Sequence, residues 1–472
     1  MRTASSYATD ARLYAEIPHH PSPNFSKKNM IFHALPPKDV AADARFEILM
    51  QEMDGKHEIR RRKRTLPAEW APQSAIQLTW PHSGTDWAPM LPEVTECYLK
   101  MAFEMASRQP LLIVTPEPEN LQQLLEQRLP ANVLENICIV KAETDDTWAR
   151  DHGFITVEDT DGWHLLDFRF NGWGGKFEAQ HDNAINAELY RQGVLQGHYD
   201  NCLDFELEGG SIESDGAGTI LTTAECLLNP NRRQAESHQV YLDGRGAKEE
   251  DVVKEEDVVN RRQAESHQVY LNGRGAKEEG EAMEEDKVNR RHAGDAVPQV
   301  DKAAVERILQ ERLGAQRILW LHHGYLAGDD TDSHIDTLAR LCPDDTILYV
   351  RCDDSNDEHY PELKAMEAEL TALRTAEGKP FRLIPLPMAK PCVENGERLP
   401  ATYANFLVMN TAVLVPTYAQ ENDGLALRKV AEAFPGRDVV GIDCRPLIVQ
   451  HGSLHCCTMQ YPRGVYRIPH AE

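Results

Sequence analysis

The sequence predicts an α+β protein: one large unit of short strands and helices, interrupted by a long charged insert. Two observations predict it, namely apolar runs of strand length that recur along the chain and amphipathic helical patterns between them. The predicted strands cover residues 76–80, 111–114, 137–140, 220–223, 318–321, 347–350, 412–415 and 439–442. The predicted helices cover residues 94–107, 301–313, 362–375 and 425–434.

This alternation of strands and helices would ordinarily indicate one parallel, doubly wound sheet. A nucleotide-binding sheet of that kind carries a glycine-rich loop after one of its strands. The glycines within 172–175 and at 209–210 do not have the spacing of such a loop. A nucleotide cofactor is therefore not indicated.

The composition is that of an ordinary globular protein, with 41% hydrophobic and 27% charged residues in a chain of 472. The net charge of −26 argues against a nucleic-acid partner, because phosphate binding needs a basic face, whereas an acidic surface attracts small cations. No apolar run reaches the roughly 18 residues of a membrane span, and the first residues lack the apolar core of a secretory signal. The ten cysteines are scattered without a CxxC pair, which favours a cytoplasmic location with free thiols.

The N-terminal region differs from the rest of the chain. Residues 1–64 carry little periodic apolar pattern and end in the basic run 60–64. A basic run can be a nucleic-acid or targeting patch, but in an acidic protein it is more often a solvated flank. We therefore expect residues 1–64 to be a flexible extension.

The second distinct region is residues 231–298, which contain a tandem duplication. Residues 231–250 recur almost unchanged as 260–279, with few apolar side chains among many charges. A solenoid repeat needs an apolar stacking face, so we expect a disordered insert, with a partner-binding module as the alternative. Residues 65–230 and 299–472 then form a single domain.

Cys456 is the first candidate for chemistry. A cysteine is most often a buried structural thiol, but Cys456 has the polar neighbours His451, Ser453 and His455. The thiolate is the nucleophilic form of cysteine, and nearby positive charge promotes it. A bound cationic substrate would supply such a charge.

His334 and Asp336 form a second candidate pair. In an extended segment, side chains two positions apart point to the same face, and a histidine beside a carboxylate can act as general acid and then as general base. The plain alternative is a solvated loop end, because the acidic run 329–332 precedes the pair.

Trp148, Asp151 and Glu208 suggest a site for a planar cation. An aromatic face and a carboxylate both bind guanidinium groups, and Glu208 precedes two glycines where the backbone can approach a ligand closely. The alternative is a buried tryptophan beside a structural Arg150–Asp151 salt bridge. Metal sites usually show compact ligand pairs such as CxxC or HxxxH, and none is present, so no metal is expected.

Several longer motifs connect these candidates. They are residues 66–74, 78–82, 144–151, 171–176, 208–213, 328–336, 403–406 and 454–456. With these motifs the chain resembles the agmatine deiminases of the guanidine-modifying, or pentein, superfamily, which also contains peptidylarginine and arginine deiminases. The resemblance runs from about residue 66 to residue 462, without the insert.

The resemblance implies a five-bladed α/β propeller with one catalytic domain and a central site. It implies that Cys456 attacks the guanidinium carbon and that His334 protonates the leaving ammonia and then activates water. Asp151 and Asp336 would hold the guanidinium nitrogens, with Glu208 as a further acid. The product would be N-carbamoylputrescine, and no cofactor or metal would be needed.

Agmatine carries a second cation at its far end. The resemblance implies that Trp148 lines the pocket, and Asp330 is the candidate to receive the far amine. It implies a small cationic substrate, with neither nucleic acid nor membrane as partner, and is compatible with a homo-oligomer and with a role in polyamine synthesis.

Two other functions stay open at this point. A basic group placed for a carboxylate would favour free or peptidyl arginine as the substrate, and a silent homologue could bind partners through the acidic repeat. The family commonly has glycine at the positions of Thr411, Ala419 and Ser453. Where such a position has a positive φ, a side chain costs about 1 kcal/mol or more.

Overall fold

The computed structural model describes residues 64–230 and 300–467. The predicted extension, apart from Arg64, and the predicted insert lie outside the described residues, so their predicted character stays a prediction. Within the described part of the chain, no helix is both long enough and apolar enough to cross a membrane.

The described residues contain strands and helices throughout. The strands are β1 Gln73–Thr79, β2 Leu111–Thr115, β3 Ile137–Lys141, β4 Ile155–Asp159, β5 Gly162–Arg169, β6 His198–Glu206, β7 Ile212–Ser214, β8 Thr219–Thr223, β9 Arg317–Leu321, β10 Ala339–Cys342, β11 Thr346–Arg351, β12 Arg382–Pro387, β13 Cys392–Glu394, β14 Glu397–Leu399, β15 Leu407–Val408, β16 Ala412–Thr417, β17 Asp438–Asp443 and β18 Thr458–Pro462. The α-helices are Leu91–Ala106, Pro118–Arg128, Ala131–Leu134, Ala149–His152, Gly172–Gly175, Ile185–Arg191, Ala224–Leu227, Lys302–Leu313, Tyr360–Ala372, Asp423–Ala433 and Arg445–Ile448. Short 3-10 helices cover Ala88–Met90, Asp182–Ala184, Gly209–Ser211 and Ile335–Thr337.

Five sheets in the described residues repeat one pattern of strand pairing. Their strand orders are β18-β1-β2-β3, β4-β5-β6, β7-β8-β9, β10-β11-β12 and β15-β16-β17. In each, the first pair is antiparallel and the next pair is parallel. The parallel pairs follow from helical crossovers, since parallel strands need a long connection whereas a short turn gives an antiparallel pair.

The mixed α+β content that the sequence predicts is confirmed. All eight predicted strands and all four predicted helices match observed elements to within a few residues. The single parallel sheet that simple alternation suggests is not observed, because each repeat places an antiparallel strand beside its parallel pair. No closed sheet occurs among the described strands, so the five-bladed arrangement stays a prediction.

The helix Leu91–Ala106 shows how the core is built. It buries Val94, Tyr98, Met101 and Met105, which recur at helical spacing and therefore form one face. This face packs into the same apolar cluster as β1 and β2. Full burial of such side chains stabilises the fold by about 1.5–3 kcal/mol each.

The repeats also position the candidate site, because the segment that leads into the antiparallel strand of each repeat carries a candidate site residue or lies beside one. Asp151 precedes β4, Glu208 precedes β7, His334 and Asp336 precede β10, and Cys456 precedes β18. The segment before β15 carries an asparagine, at residue 405. Residues far apart in sequence thus occupy corresponding places in successive repeats.

Candidate active site

Gly210 lies where three candidate side chains meet. A Cβ atom built on it would lie 2.6 Å from Nδ1 of His334, 2.9 Å from Oδ1 of Asp151 and 3.2 Å from Oδ2 of Asp336. Its backbone N–H donates to Oδ1 of Asp151 at 3.1 Å. Any larger residue would displace the three side chains, so glycine at this turn allows them to approach the backbone closely; the predicted approach of a ligand stays a prediction.

Asn405 joins Cys456 to this cluster. Its Nδ2 lies 3.2 Å from Sγ of Cys456 and 3.2 Å from Oδ2 of Asp336. Its Oδ1 accepts the backbone N–H groups of His455, at 2.8 Å, and Cys456, at 3.4 Å. One buried amide therefore fixes both the thiol and a carboxylate.

Asp151 is a buried carboxylate with neutral donors. Besides the Gly210 amide, its Oδ2 accepts the indole N–H of Trp173 at 3.0 Å. Nδ1 of His334 lies 3.8 Å from its Oδ1. Burial, followed by the charges of Asp336 and Glu208, raises the pKa of Asp151 well above its usual range.

The salt bridge between Arg150 and Asp151, which was the alternative interpretation of these residues, is not present in the structure. The Arg150 side chain instead directs Nε to the carbonyl oxygen of His455 at 3.5 Å and Nη1 to the sulfur of Met459 at 3.8 Å. Asp151 therefore faces His334 and Gly210. This arrangement favours the ligand-binding interpretation of the acid.

Trp173 reaches Asp151 from a backbone conformation that non-glycine residues rarely adopt. Its φ is 55° and its ψ is 46°, in the left-handed region that costs an ordinary residue roughly 1–2 kcal/mol. Asn171 secures the turn, since its side chain accepts the backbone N–H of Gly174 at 2.8 Å. Strain of this kind persists where the surroundings hold it, often at functional sites.

His334 and Asp336 are both fully buried, but not in an extended segment. The prediction of an extended segment is wrong, because residues Ile335–Thr337 form a single 3-10 turn with His334 as its N-terminal cap. The hydroxyl of Thr337 donates to the carbonyl oxygen of His334 at 2.8 Å and closes the turn. Both side chains nevertheless reach Gly210, because the turn is tight.

Glu208 and Trp148 line the same region. Glu208 is fully buried, and one of its oxygens lies within 4.8 Å of a ring nitrogen of His334. Trp148 packs so closely against Gly452 that a Cβ there would lie 2.1 Å from its ring. The indole of Trp148 is 6.5 Å from that of Trp173, between ring centres. It forms a wall next to the residue that holds Asp151.

Asp330 is placed differently from the other candidates. Its side chain is 41% exposed, and its Oδ2 lies 3.7 Å from Nδ1 of His451. Lys176 donates to its carbonyl oxygen at 2.6 Å and pairs with Asp332 at 3.1 Å. The structure therefore does not bring Asp330 to the buried carboxylates; it stands at the outer side, next to the residue that precedes Gly452.

A second buried cluster lies behind Asp336, and the sequence reasoning assigned it no role. His455 joins Oδ2 of Asp336, at 2.7 Å, to Oε2 of Glu69, at 3.0 Å. The Arg340 guanidinium pairs with Glu69 and with Glu213, the latter at 2.5 Å. Burial opposes ionisation of Glu69, but Arg340 and then His455 lower its pKa well below the usual range.

Two residues that the sequence analysis did not assign to the site could have been recognised from their motifs. Glu213 closes the motif 208–213 and Asn405 lies within 403–406, both of which carry the resemblance. Arg340 was not recognised from the sequence, because this charged residue interrupts the apolar run by which the strand β10 could have been predicted.

Cys456 is buried, at 5% exposure. Burial raises the pKa of its thiol well above the usual range, and the charges of Asp336 and Asp151 raise it further. Burial and these two carboxylates therefore favour the protonated thiol over the thiolate. A cation between the carboxylates would offset that effect.

Comparison with known proteins places the chain among deiminases. The model of the Porphyromonas-type peptidyl-arginine deiminase family matches residues 65–242 and 282–462. The agmatine deiminase of Stutzerimonas stutzeri (strain A1501) is 27% identical over 424 residues, which cover 85% of this chain and 96% of the relative.

Solved structures agree with this. A C. jejuni agmatine deiminase with substrate bound is 30% identical, has a TM-score of 0.67, and is matched over 87% of this chain and 99% of its own. A Porphyromonas gingivalis protein described as a "Putative Arginine Deiminase" is 43% identical, has a TM-score of 0.69, and is matched over 86% of this chain and 100% of its own.

Proposed function

Since this chain belongs to the Porphyromonas-type peptidyl-arginine deiminase family, we propose that it hydrolyses agmatine to N-carbamoylputrescine and ammonia. The family and its relatives indicate an enzyme that acts on guanidino carbon–nitrogen bonds. The observation that carries the proposal is the meeting of Asp151, His334 and Asp336 at Gly210, with Asn405 joining them to Cys456.

Asp151 and Asp336 hold the guanidinium group. Oδ2 of Asp336 is occupied by His455 and Asn405, whereas its Oδ1 has no hydrogen-bond partner among the described residues. A guanidinium N–H donor would satisfy that buried oxygen. Hydrogen bonds from the guanidinium N–H groups to both carboxylates orient the carbon for attack and spread the positive charge away from it.

Cys456 then forms the covalent intermediate. The thiol proton passes to His334 as the sulfur attacks the guanidinium carbon and forms a carbon–sulfur bond. His334 then gives this proton to the departing ammonia as the carbon–nitrogen bond breaks. Water next attacks the same carbon and gives a proton to His334. The carbon–sulfur bond breaks, the thiol is restored and N-carbamoylputrescine leaves.

The substrate itself activates the nucleophile. The charges that favour the protonated thiol are those of Asp336 and Asp151. A guanidinium bound between them neutralises these charges and stabilises the thiolate. Glu208 adds a further acid beside His334, and the indole ring of Trp148 lies along one side of the planar group.

We propose that Asp330 contributes to selection of agmatine over arginine. An exposed carboxylate at the outer side of the site suits the far amine of agmatine and repels the α-carboxylate of arginine. The nearby cation, Lys176, is paired with Asp332. Arginine or peptidyl arginine remains the second candidate, because the matching family is named for peptidyl-arginine deiminase.

The repeat pattern supports one further proposal about the fold. Each of the five sheets supplies one site segment immediately before its antiparallel strand. We propose that the sheets are five blades around the site. A pathway role in polyamine synthesis would follow from the product.

The test measures ammonia and N-carbamoylputrescine from agmatine, with arginine and an arginine peptide in parallel. Cys456→Ala should abolish turnover. Cys457→Ala is the matched control, because that buried neighbour faces Tyr98 rather than the site and should keep activity. Turnover of arginine in place of agmatine would overturn the substrate, and full activity of Cys456→Ala would overturn the mechanism.

A further inference from the structure

We propose that Glu208, Cys226 and His334 form a binding site for a borderline transition-metal cation such as Zn²⁺, which inhibits the enzyme. One donor atom of each side chain lies within 4.8 Å of the other two. All three side chains are fully buried. None of them was a metal candidate in the sequence, because they come from three separate segments rather than a compact motif.

The three donors are held by structured elements. Glu208 leads into the 3-10 turn Gly209–Ser211, Cys226 lies in the short helix Ala224–Leu227, and His334 caps its own turn. The Thr223 side chain ties two of these together: it accepts the backbone N–H of Cys226 at 3.3 Å and donates to the carbonyl oxygen of Ser333 at 2.7 Å. The spacing between the cysteine and the histidine is therefore built into the fold.

The donor set fits Zn²⁺ better than a hard cation. Thiolate sulfur, imidazole nitrogen and carboxylate oxygen are its usual ligands, at about 2.0–2.3 Å, and three protein ligands leave one position for water. Mg²⁺ and Ca²⁺ prefer oxygen ligands. Asp151, within reach of His334 at 3.8 Å, adds negative charge that favours a divalent cation, as it favours a guanidinium.

Binding would remove His334 from the reaction and compete with the substrate for the same negative charge. The inhibition therefore rests on the proposed function, whereas the binding site does not. Cys226 has no part in the proposed chemistry, so its replacement should spare turnover.

The binding test uses Cd²⁺ alone, with the full-length protein, and follows the absorption of the sulfur-to-cadmium bond. Wild type, Cys456→Ala and the matched control Cys202→Ser, a buried cysteine of the same apolar cluster, should all show the band. Cys226→Ser should lose it. A band that survives in Cys226→Ser, or that is lost only in Cys456→Ala, would overturn the proposal.

A second variant guards against a folding defect in Cys226→Ser. Glu208→Gln should keep the sulfur band but bind Cd²⁺ more weakly. Because even outer-shell changes lower metal affinity about 10–100-fold, the loss of a direct ligand should weaken binding at least about tenfold. Unchanged affinity in Glu208→Gln would contradict the ligand set.

The activity test measures Zn²⁺ inhibition of agmatine turnover and its reversal by EDTA. Inhibition should be competitive with agmatine, and Cys226→Ser should need at least about tenfold more Zn²⁺. Equal inhibition of both proteins would overturn the inhibitory role. A Cd²⁺ band without any agmatine turnover in the metal-free protein would instead remove the proposed function and leave the metal site standing.

Discussion

Two buried charge clusters meet at His455, and they differ in whether a protein cation neutralises them. On one side Arg340 lies between Glu69 and Glu213, and its guanidinium also stacks 4.4 Å from the ring of Phe406. On the other side Asp151 and Asp336 face a glycine and a thiol. Both clusters are buried, yet of the two only the first contains its own guanidinium.

One carboxyl group of each cluster illustrates this difference, although burial raises the pKa of Glu213 despite Arg340, and the hydrogen bond with His455 lowers that of Asp336 despite burial. Arg340 lowers the pKa of Glu69 despite burial, whereas burial and neighbouring carboxylates raise that of Asp151. The Arg340 cluster is thus an internal version of the complex that we propose for the substrate. By analogy, a bound guanidinium would neutralise Asp151 and Asp336 as Arg340 neutralises Glu69 and Glu213. This neutralisation would contribute to the binding free energy of the substrate.

The largest expected effect comes from removing the cation of the Arg340 cluster. Arg340→Met should lower the free energy of unfolding by about 3–5 kcal/mol, because two buried carboxylates lose their counterion. Denaturant unfolding measures this. Arg445→Met is the control: that arginine pairs with Asp443 at 42% exposure of each side chain, so its loss should cost at most about 1 kcal/mol. Equal losses in the two variants would remove the distinction.

The opposite outcome is expected for the cluster of Asp151 and Asp336, which has no guanidinium of its own. Asp151→Asn should lower kcat/KM for agmatine about 10²–10³-fold, the usual effect of removing one electrostatic contact to the reacting group. Its free energy of unfolding should stay the same or rise, because a buried repulsion with Asp336 is relieved. Loss of stability together with intact activity would reverse the assignment of the two clusters.

The pH dependence of stability sharpens the same contrast. Because the pKa of Asp151 is raised, the folded protein binds more protons than the unfolded chain, and wild-type stability falls as pH rises through that pKa. Asp151→Asn lacks this titration. Its stability advantage over wild type should therefore grow as pH rises above about 4, the ordinary pKa of an aspartate, by up to about 1.4 kcal/mol per pH unit, and level off once Asp151 of the wild type is ionised. A constant advantage would argue against a buried carboxyl with a raised pKa.

A smaller effect is expected from the donor that supports Asp151. Trp173→Phe keeps an aromatic ring but removes the N–H that donates to Oδ2 at 3.0 Å. A hydrogen bond to a charged group contributes about 1.5–3 kcal/mol, so agmatine turnover should fall roughly tenfold to a hundredfold. Steady-state kinetics will show it, and an unchanged kcat/KM would mean that Asp151 does not rely on this donor.

The sequence predicted eight of the eighteen described strands, four of the helices and most residues of the candidate site. Strands such as β2 and β11 are continuous apolar runs, so their pattern is plain, whereas β6, with its polar residues, was missed. Motif resemblance predicted Cys456, His334 and the carboxylates that the structure brings together around Gly210. It could not reveal that Asn405 joins two of them, because that contact depends on segments from different repeats.

One of the three positions at which the family commonly has glycine does have a positive φ in this chain. Ala419 has a φ of 55°, whereas Thr411 and Ser453 are not among the residues with positive φ. The smallest prediction follows: Ala419→Gly should raise the free energy of unfolding by up to about 1 kcal/mol. Thr411→Gly, the control, should lower it by about 0.5–1 kcal/mol. Thermal or urea unfolding compares them, and a stabilising Thr411→Gly would refute the argument.

We propose that the Cys456 thiol becomes reactive when a planar cation occupies the site between Asp151 and Asp336. The most direct measurement is the rate at which Cys456 is alkylated near neutral pH by chloroacetamidine, which carries a cationic amidinium, and by chloroacetamide, its neutral isostere. We predict much faster alkylation by the amidinium reagent, and loss of that preference in Asp151→Asn. Equal rates with both reagents in the wild-type protein would show that a cation between the two carboxylates does not activate Cys456.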